Sequence, residues 1–194
     1  MNEEENKMFS RNNLANKVKK ARAFTQEKEY DSALRVLGEA LDMVYTMDDS
    51  VTMERVLKEL VWTAVQGKKW STAALYQQSL YNTAQISGNL QSIVNTGNTL
   101  STFYYRDGEY QQAAEIKRTL VEKVRGNDAY DIAKQYESLA LIYSSAREFE
   151  KAVERMEQAA ESYQTRKDTA SMAETAIWLG RFELERENFQ LSIQ

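Results

Sequence analysis

Two absences define which side chains could do chemistry here. The 194 residues include neither histidine nor cysteine. That removes the usual general base, the commonest metal ligand and all thiolate and disulfide chemistry. Carboxylates, hydroxyls, lysines, tyrosines and arginines remain. Acid pairs such as Asp128/Asp131 sit at a helix start, where capping accounts for them. The sequence has no glycine-rich phosphate loop, no nucleophile elbow and no metal-ligand spacing. The expectation is a chain that is not an enzyme and takes no cofactor and no metal. What the sequence does offer is recognition chemistry. Asn95 and Asn98 project from adjacent helical turns, and a carboxamide both donates to and accepts from a peptide backbone. Trp62 and Tyr105 are large, rigid side chains with a polar tip, the kind that anchors interfaces.

Such residues need a frame, and internal repetition supplies it. An aromatic residue is followed three positions later by a small one at Tyr30/Ala33, Trp70/Ala73, Tyr110/Ala113, Phe149/Ala152 and Phe189/Ser192. The steps between pairs are 40, 40, 39 and 40 residues, too regular for chance. Before each pair runs an amphipathic helical pattern, such as Leu57, Leu60, Val61 and Ala64. After it runs another, such as Val153, Met156, Ala159 and Ala160. Short polar turns, for example Arg106-Asp107-Gly108-Glu109, join the two helices. Between units lie cap and stop residues such as Ser87-Gly88-Asn89 and Gly126-Asn127-Asp128. The absence of proline, with only seven glycines, excludes a tight-turned sandwich or barrel. The chain thus reads as helical hairpins over about 13–49, 50–88, 89–127 and 128–167, with a partial unit at 168–194, behind a polar, disordered tail at 1–12.

The stretches Leu139-Ala140-Leu141-Ile142-Tyr143 … Phe149-Glu150-Lys151-Ala152 and Gly108-Glu109-Tyr110-Gln111-Gln112-Ala113 resemble tetratricopeptide repeats. The family's pattern is a large residue, a small one and Tyr, then Gly-x-Tyr-x-x-Ala. The closing proline of that pattern is missing throughout, and the period is near 40 where the family has about 34. In this the chain resembles the long-helix variant of spindle-orientation adaptors and bacterial peptide-sensing regulators. The resemblance implies an all-α, right-handed superhelical solenoid of antiparallel helix pairs, whose first helices line a concave protein-binding groove. The chain ends soon after the fifth aromatic pair. It is expected to be a fragment of a longer protein, or to pack residues 189–194 on another chain.

Carried onto this sequence, the family's inward positions are Arg55, Lys58 and Trp62 in the second unit and Asn95, Asn98, Thr102, Tyr105 and Arg106 in the third. The fourth contributes Lys134 and the acid Glu137; the first adds Arg22, and the fifth Arg181. Arg55, Lys58, Trp62, Asn95, Asn98, Thr102, Tyr105, Arg106 and Lys134 form the expected partner-binding set. Its excess of cations suits a protein or peptide ligand that carries carboxylates. Trp62 has a second reading as core packing, and Asn98 as an ordinary surface polar residue. The chaperone-binding pattern of five clamp residues finds Lys58 and Lys134 but meets Trp62, Thr99 and Ser138, a poor match.

The implied function is an adaptor or scaffold holding an extended peptide or helix. The alternative is the peptide-sensing domain of a bacterial signalling protein or transcription regulator. RNA is kept in view by Lys17, Lys19, Lys20 and Arg22, but the net charge of −4 weighs against a nucleic-acid partner. No apolar run approaches the roughly 18–20 residues of a membrane span, and the acidic N-terminus is unlike a signal peptide. A cytoplasmic protein without membrane contact is expected, with self-association through the incomplete last repeat as a further partner mode.

Overall fold

The computed structural model describes residues 3–47 and 49–192. These residues form nine α-helices: α1 (Glu3–Gln26), α2 (Tyr30–Met47), α3 (Ser50–Gln66), α4 (Trp70–Ser87), α5 (Leu90–Asp107), α6 (Tyr110–Val124), α7 (Ile132–Ser145), α8 (Phe149–Thr165) and α9 (Thr169–Ser192). Within α1–α4 and within α5–α9, successive helices pack against each other as antiparallel pairs. In the first four repeated pairs the aromatic is the first residue of the hairpin's second helix: Tyr30, Trp70, Tyr110 and Phe149 open α2, α4, α6 and α8. Its small partner, Ala33, Ala73, Ala113 or Ala152, is 0% exposed. A methyl group there lets neighbouring helices approach closely, because interaxial distance is set by the side chains at the contact.

The turn inside each hairpin is equally periodic. Glu29, Lys69, Glu109 and Glu148 donate their backbone N–H to Phe24, Ala64, Tyr104 and Tyr143 carbonyls at 2.8–2.9 Å. The residue before each donor is left-handed: Lys28 (φ 63°), Lys68 (53°), Gly108 (86°) and Arg147 (61°). This closing turn satisfies carbonyls at the helix end and favours glycine at the left-handed site. Three of the four turns spend a long cationic residue there instead. The first helices begin on caps. Asp49, Asn89 and Asp131 accept from the backbone N–H of Thr52, Ser92 and Lys134 at 3.0, 2.9 and 3.3 Å.

The helices group into two compact units, one ending at Gly88 and the other beginning at Asn89. In the first, α1–α4, the core includes Val36, Leu37, Leu41, Val56, Leu57 and Leu60. In the second, α5–α9, it includes Val121, Leu139, Tyr143, Met156, Tyr163 and Phe182.

Two sequence expectations are corrected. The segment read as a disordered tail is helical from Glu3 onward, with Met1 and Asn2 outside the described residues. Glu, Lys and Met are good helix formers, and no glycine or proline interrupts the run before Gln26. At the other end, Phe189 opens no second helix, since α9 continues unbroken from Thr169 to Ser192. The residues before it, Arg186-Glu187-Asn188, contain no left-handed stop of the kind found in the other hairpins. Phe189 instead packs on Phe149 at the start of α8, ring centroids 5.9 Å apart, with the Arg147 guanidinium 5.5 Å above its ring.

One glycine is required by packing. A Cβ on Gly67, just after α3, would lie 3.0 Å from both Cβ and Cγ of Tyr30. Gly38, inside α2, has nothing within 4 Å of the same position. Gly67→Ala is expected to destabilise by about 1–3 kcal/mol through overpacking. Gly38→Ala is expected to stabilise by about 0.5–1 kcal/mol through helix propensity. Urea denaturation of the two variants would settle the sign of each; a stabilising Gly67→Ala would show that Tyr30 can move aside.

Candidate functional site

In the second unit, α5, α7 and α9 each turn one face to a common open cleft of about 410 Å³. Thr102 and Tyr105 come from α5, Leu141, Ser144 and Ser145 from α7, and Trp178 and Arg181 from α9. The Tyr105 hydroxyl lies 3.0 Å from Ser145 Oγ, and its ring packs on Tyr110 at 5.5 Å. Several wall hydroxyls donate inward: Thr102 to Asn98 O at 2.9 Å, Ser138 to Lys134 O at 2.8 Å, and Ser145 to Leu141 O at 3.0 Å. Their protons are thus spent on helix carbonyls while their lone pairs remain as acceptors. Arg181 donates to Glu185 at 2.9 Å, and its guanidinium lies 5.2 Å over the Trp178 ring.

Behind this wall stands a residue that sequence reasoning missed. Lys117 of α6 lines the cleft yet is only 7% exposed. Its ammonium donates to Asn98 Oδ1 at 2.6 Å and Gln135 Oε1 at 3.1 Å. Both partners are neutral amides. Burial pushes its pKa down to about 8, from the ordinary lysine value of 10.5, because a low-dielectric site disfavours the charged form. A signal for it was present in the repeat register. Seven residues after each helix-opening aromatic come Leu37, Gln77, Lys117 and Met156, all buried. A charged lysine at a buried position held elsewhere by Leu, Gln and Met is an anomaly that the 40-residue period exposes.

The expected binding residues fall into separate groups. Thr102 and Tyr105 line the cleft, with Tyr105 39% exposed. Asn98 is half-buried and Asn95 exposed, and both carboxamide oxygens are engaged, by Lys117 and by Gln91 Nε2 at 2.9 Å. Arg106 is exposed in the last turn of α5, and Lys134 is exposed in the first turn of α7.

In the first unit, Arg55 and Lys58 share a cleft of about 740 Å³ with Lys19, Arg22 and apolar side chains including Leu14, Val18 and Val56. Trp62, with Arg22, Gln26 and Lys58, borders a smaller hollow. At 48% exposure Trp62 is not core. The cation excess read from fixed helix positions is reduced here, since Glu59 accepts from Arg22 and Glu54 pairs with Lys58 at 2.7 Å. Those acids lie beside the inward positions and so escaped the count. No described helix is long and apolar enough to cross a membrane. No group of three or more acids suited to a metal ion occurs among the described residues.

Residues 135–170, the α7–α8 hairpin, match the tetratricopeptide repeat family. Among solved structures, the chain is similar to BtubC (BKLC) from P. vanneervenii, with TM-score 0.58 and 18% identity over 88% of this chain and 71% of that one. It is similar to the apo form of RapI, with TM-score 0.61 and 15% identity over 93% of this chain and 66% of that one. The Podosopora anserina kinesin light chain nearly identical TPR-like repeats give TM-score 0.53 and 16% identity, covering 90% and 95% of the two chains. No curated protein matches by sequence. At such identities the likeness is one of fold. The matched hairpin, the aromatic–alanine period carried by α1–α8 and these folds agree: each unit folds as a tetratricopeptide-like stack of antiparallel helix pairs, and residues 135–170 match the tetratricopeptide repeat itself, which generally serves protein interaction.

Proposed function

We propose that this protein is an interaction scaffold whose second unit holds an extended segment of a protein partner in the cleft between α5, α7 and α9. The observation that carries this reading is the cleft wall itself. It places an aromatic anchor, Tyr105, among hydroxyl oxygens whose protons are already committed to the helices. Such oxygens accept from the N–H groups of an extended backbone, and the ring covers apolar side-chain surface. Both ends of the set are stiffened: Tyr105 touches Ser145, and Ser144 donates to Glu185 across to α9 at 3.2 Å. Preorganised walls lower the ordering cost of binding. In the first unit, Arg55, Lys58 and Trp62 offer a separate contact surface of mixed charge.

Selection of random dodecapeptides on the wild-type chain, followed by affinity measurement on Tyr105→Ala, tests the reading. Selected peptides are expected to lose at least about tenfold in affinity, the scale of an anchoring aromatic. Helicity by circular dichroism is expected to stay unchanged, because Tyr105 is not a core residue. Equal binding of the selected peptides to both proteins would remove the cleft from consideration.

A further inference from the structure

A buried ammonium normally meets a carboxylate. Lys117 does not. Its two acceptors are the amide oxygens of Asn98 and Gln135, and no acid pairs with it among the described residues. An ammonium has three N–H donors, so two bonds leave one unassigned. The residue borders the cleft, so an incoming group can reach it. Burying a cation without a counter-charge is unfavourable, and an arriving anion removes that penalty in a site where charge interactions are strong. The wall hydroxyls donate to helix carbonyls, and Arg181 gives its Nε–H to Glu185, so the charged donors left to the cleft are the Lys117 ammonium and the outer N–H groups of Arg181. Of these two, Lys117 alone is buried and without a carboxylate partner, so a ligand acceptor gains most there.

We propose that Lys117 is the receptor for a carboxylate of the bound peptide, so that the cleft selects acidic segments or a free C-terminus. The inference rests on the proposed peptide-binding function of this cleft and adds the chemistry of what is selected. Asn98 and Gln135 act as positioning residues that hold the ammonium. The other charged or titratable residues lining the cleft are Tyr105 on α5 and Arg181 on α9; among those elsewhere on the surrounding helices are Lys134 and Glu137 on α7 and Glu185 on α9. Glu137 is taken by the Tyr163 hydroxyl at 2.8 Å. A carboxylate that favours protonated Lys117 must raise its titration midpoint, since binding and protonation are linked reciprocally.

The test uses three probes with acetylated N-termini: hexaglutamate amide, hexaglutamine with a free C-terminal acid, and hexaglutamine amide. Lysine-specific ¹³C labelling of the full chain reports the Lys117 midpoint, assigned by its loss in Lys117→Met, while Tyr105 ring signals report occupancy of the cleft. A rise of about one pH unit or more is expected with a carboxylate probe and none with hexaglutamine amide, which corresponds to a tenfold preference for the charged form. Response to the first acid alone assigns side-chain carboxylates, and response to the second alone assigns the C-terminus. Hexaglutamate affinity is also expected to fall at least about tenfold in Lys117→Met. Should that variant not fold, the wild-type titration decides alone. Tyr105 signals that move while the Lys117 midpoint stays fixed with both acids would overturn the carboxylate assignment and leave peptide binding standing. Silence of both reporters with every probe would overturn the assignment too, with peptide binding then judged by the dodecapeptide selection.

Discussion

Replacing Phe182 with alanine is expected to destabilise the second unit by about 3–5 kcal/mol, the range for deleting a fully buried aromatic ring. Phe182 is 1% exposed and belongs to the core built by α7 and α8. The other fully buried residue of α9 is the small Thr175, at 0%. Much of the rest of α9 faces outward: Ile177, Leu184 and Leu191 are 73%, 59% and 71% exposed. Phe182 is therefore the one large, fully buried side chain among the described residues of α9, with Met172, Trp178 and Leu179 partly buried against the same core. Trp178 and Arg181 ride on that helix and wall the cleft, so the variant is expected to lose peptide affinity along with stability. Urea denaturation followed through Trp178, with Trp62 and Trp70 replaced by phenylalanine, measures the change locally. Leu184→Ala serves as the control and is expected within about 0.5 kcal/mol of the parent. A Phe182→Ala loss below about 1 kcal/mol would mean that the neighbouring side chains, not this ring, hold α9.

Periodicity made the hairpins legible, because it samples a buried position once per unit and repeats the sample. Tyr30, Trp70, Tyr110 and Phe149 each open a helix, and the alanines after them are wholly buried. The same reasoning misread Phe189, where the aromatic–small spacing recurs but the left-handed stop before it does not, so the helix simply continues. A pair of residues is weaker evidence than a pair plus its turn. The N-terminal error has the opposite cause: polarity was taken for disorder, although a polar run of good helix formers can be helical. At the site, Thr102 and Tyr105 came from the inward positions that the resemblance implies, and both line the cleft of the second unit. The engagement of Asn98 was not visible, since its partner Lys117 lies on another helix, 19 residues on. Charge cancellation by Glu54 and Glu59 likewise depends on side-chain reach that a fixed list of positions omits.

The stability difference between Lys117→Met and the wild type is expected to shrink by about 3 kcal/mol as pH rises from 7 to 10.5. The folded-state pKa is about 8, against an ordinary value of 10.5. Below pH 8, Lys117 is protonated in both the folded and the unfolded chain, and the folded state bears the whole cost of burying the charge. Between about 8 and 10.5 the folded chain releases a proton that the unfolded chain still holds. The unfolded state then binds more protons, so unfolding becomes less favourable as pH increases. Wild type gains stability across this window, and a variant without the ammonium does not. Other groups titrating there, tyrosines included, are common to both proteins and cancel in the difference. The starting offset at pH 7 favours the methionine variant, reduced by whatever Asn98 and Gln135 lose as acceptors. Both are only half-buried, so water can replace the ammonium at their oxygens. Chemical denaturation at four or five pH values gives the slope directly, and parallel curves for the two proteins would refute a depressed lysine. A lysine that weakens the folded chain at neutral pH, yet occupies a buried position where uncharged Leu37, Gln77 and Met156 stand in sister repeats, stabilises the fold only once a counter-charge reaches it. The same carboxylate that the cleft is proposed to select would therefore raise the thermal midpoint of the wild type more than that of Lys117→Met at equal ligand concentration.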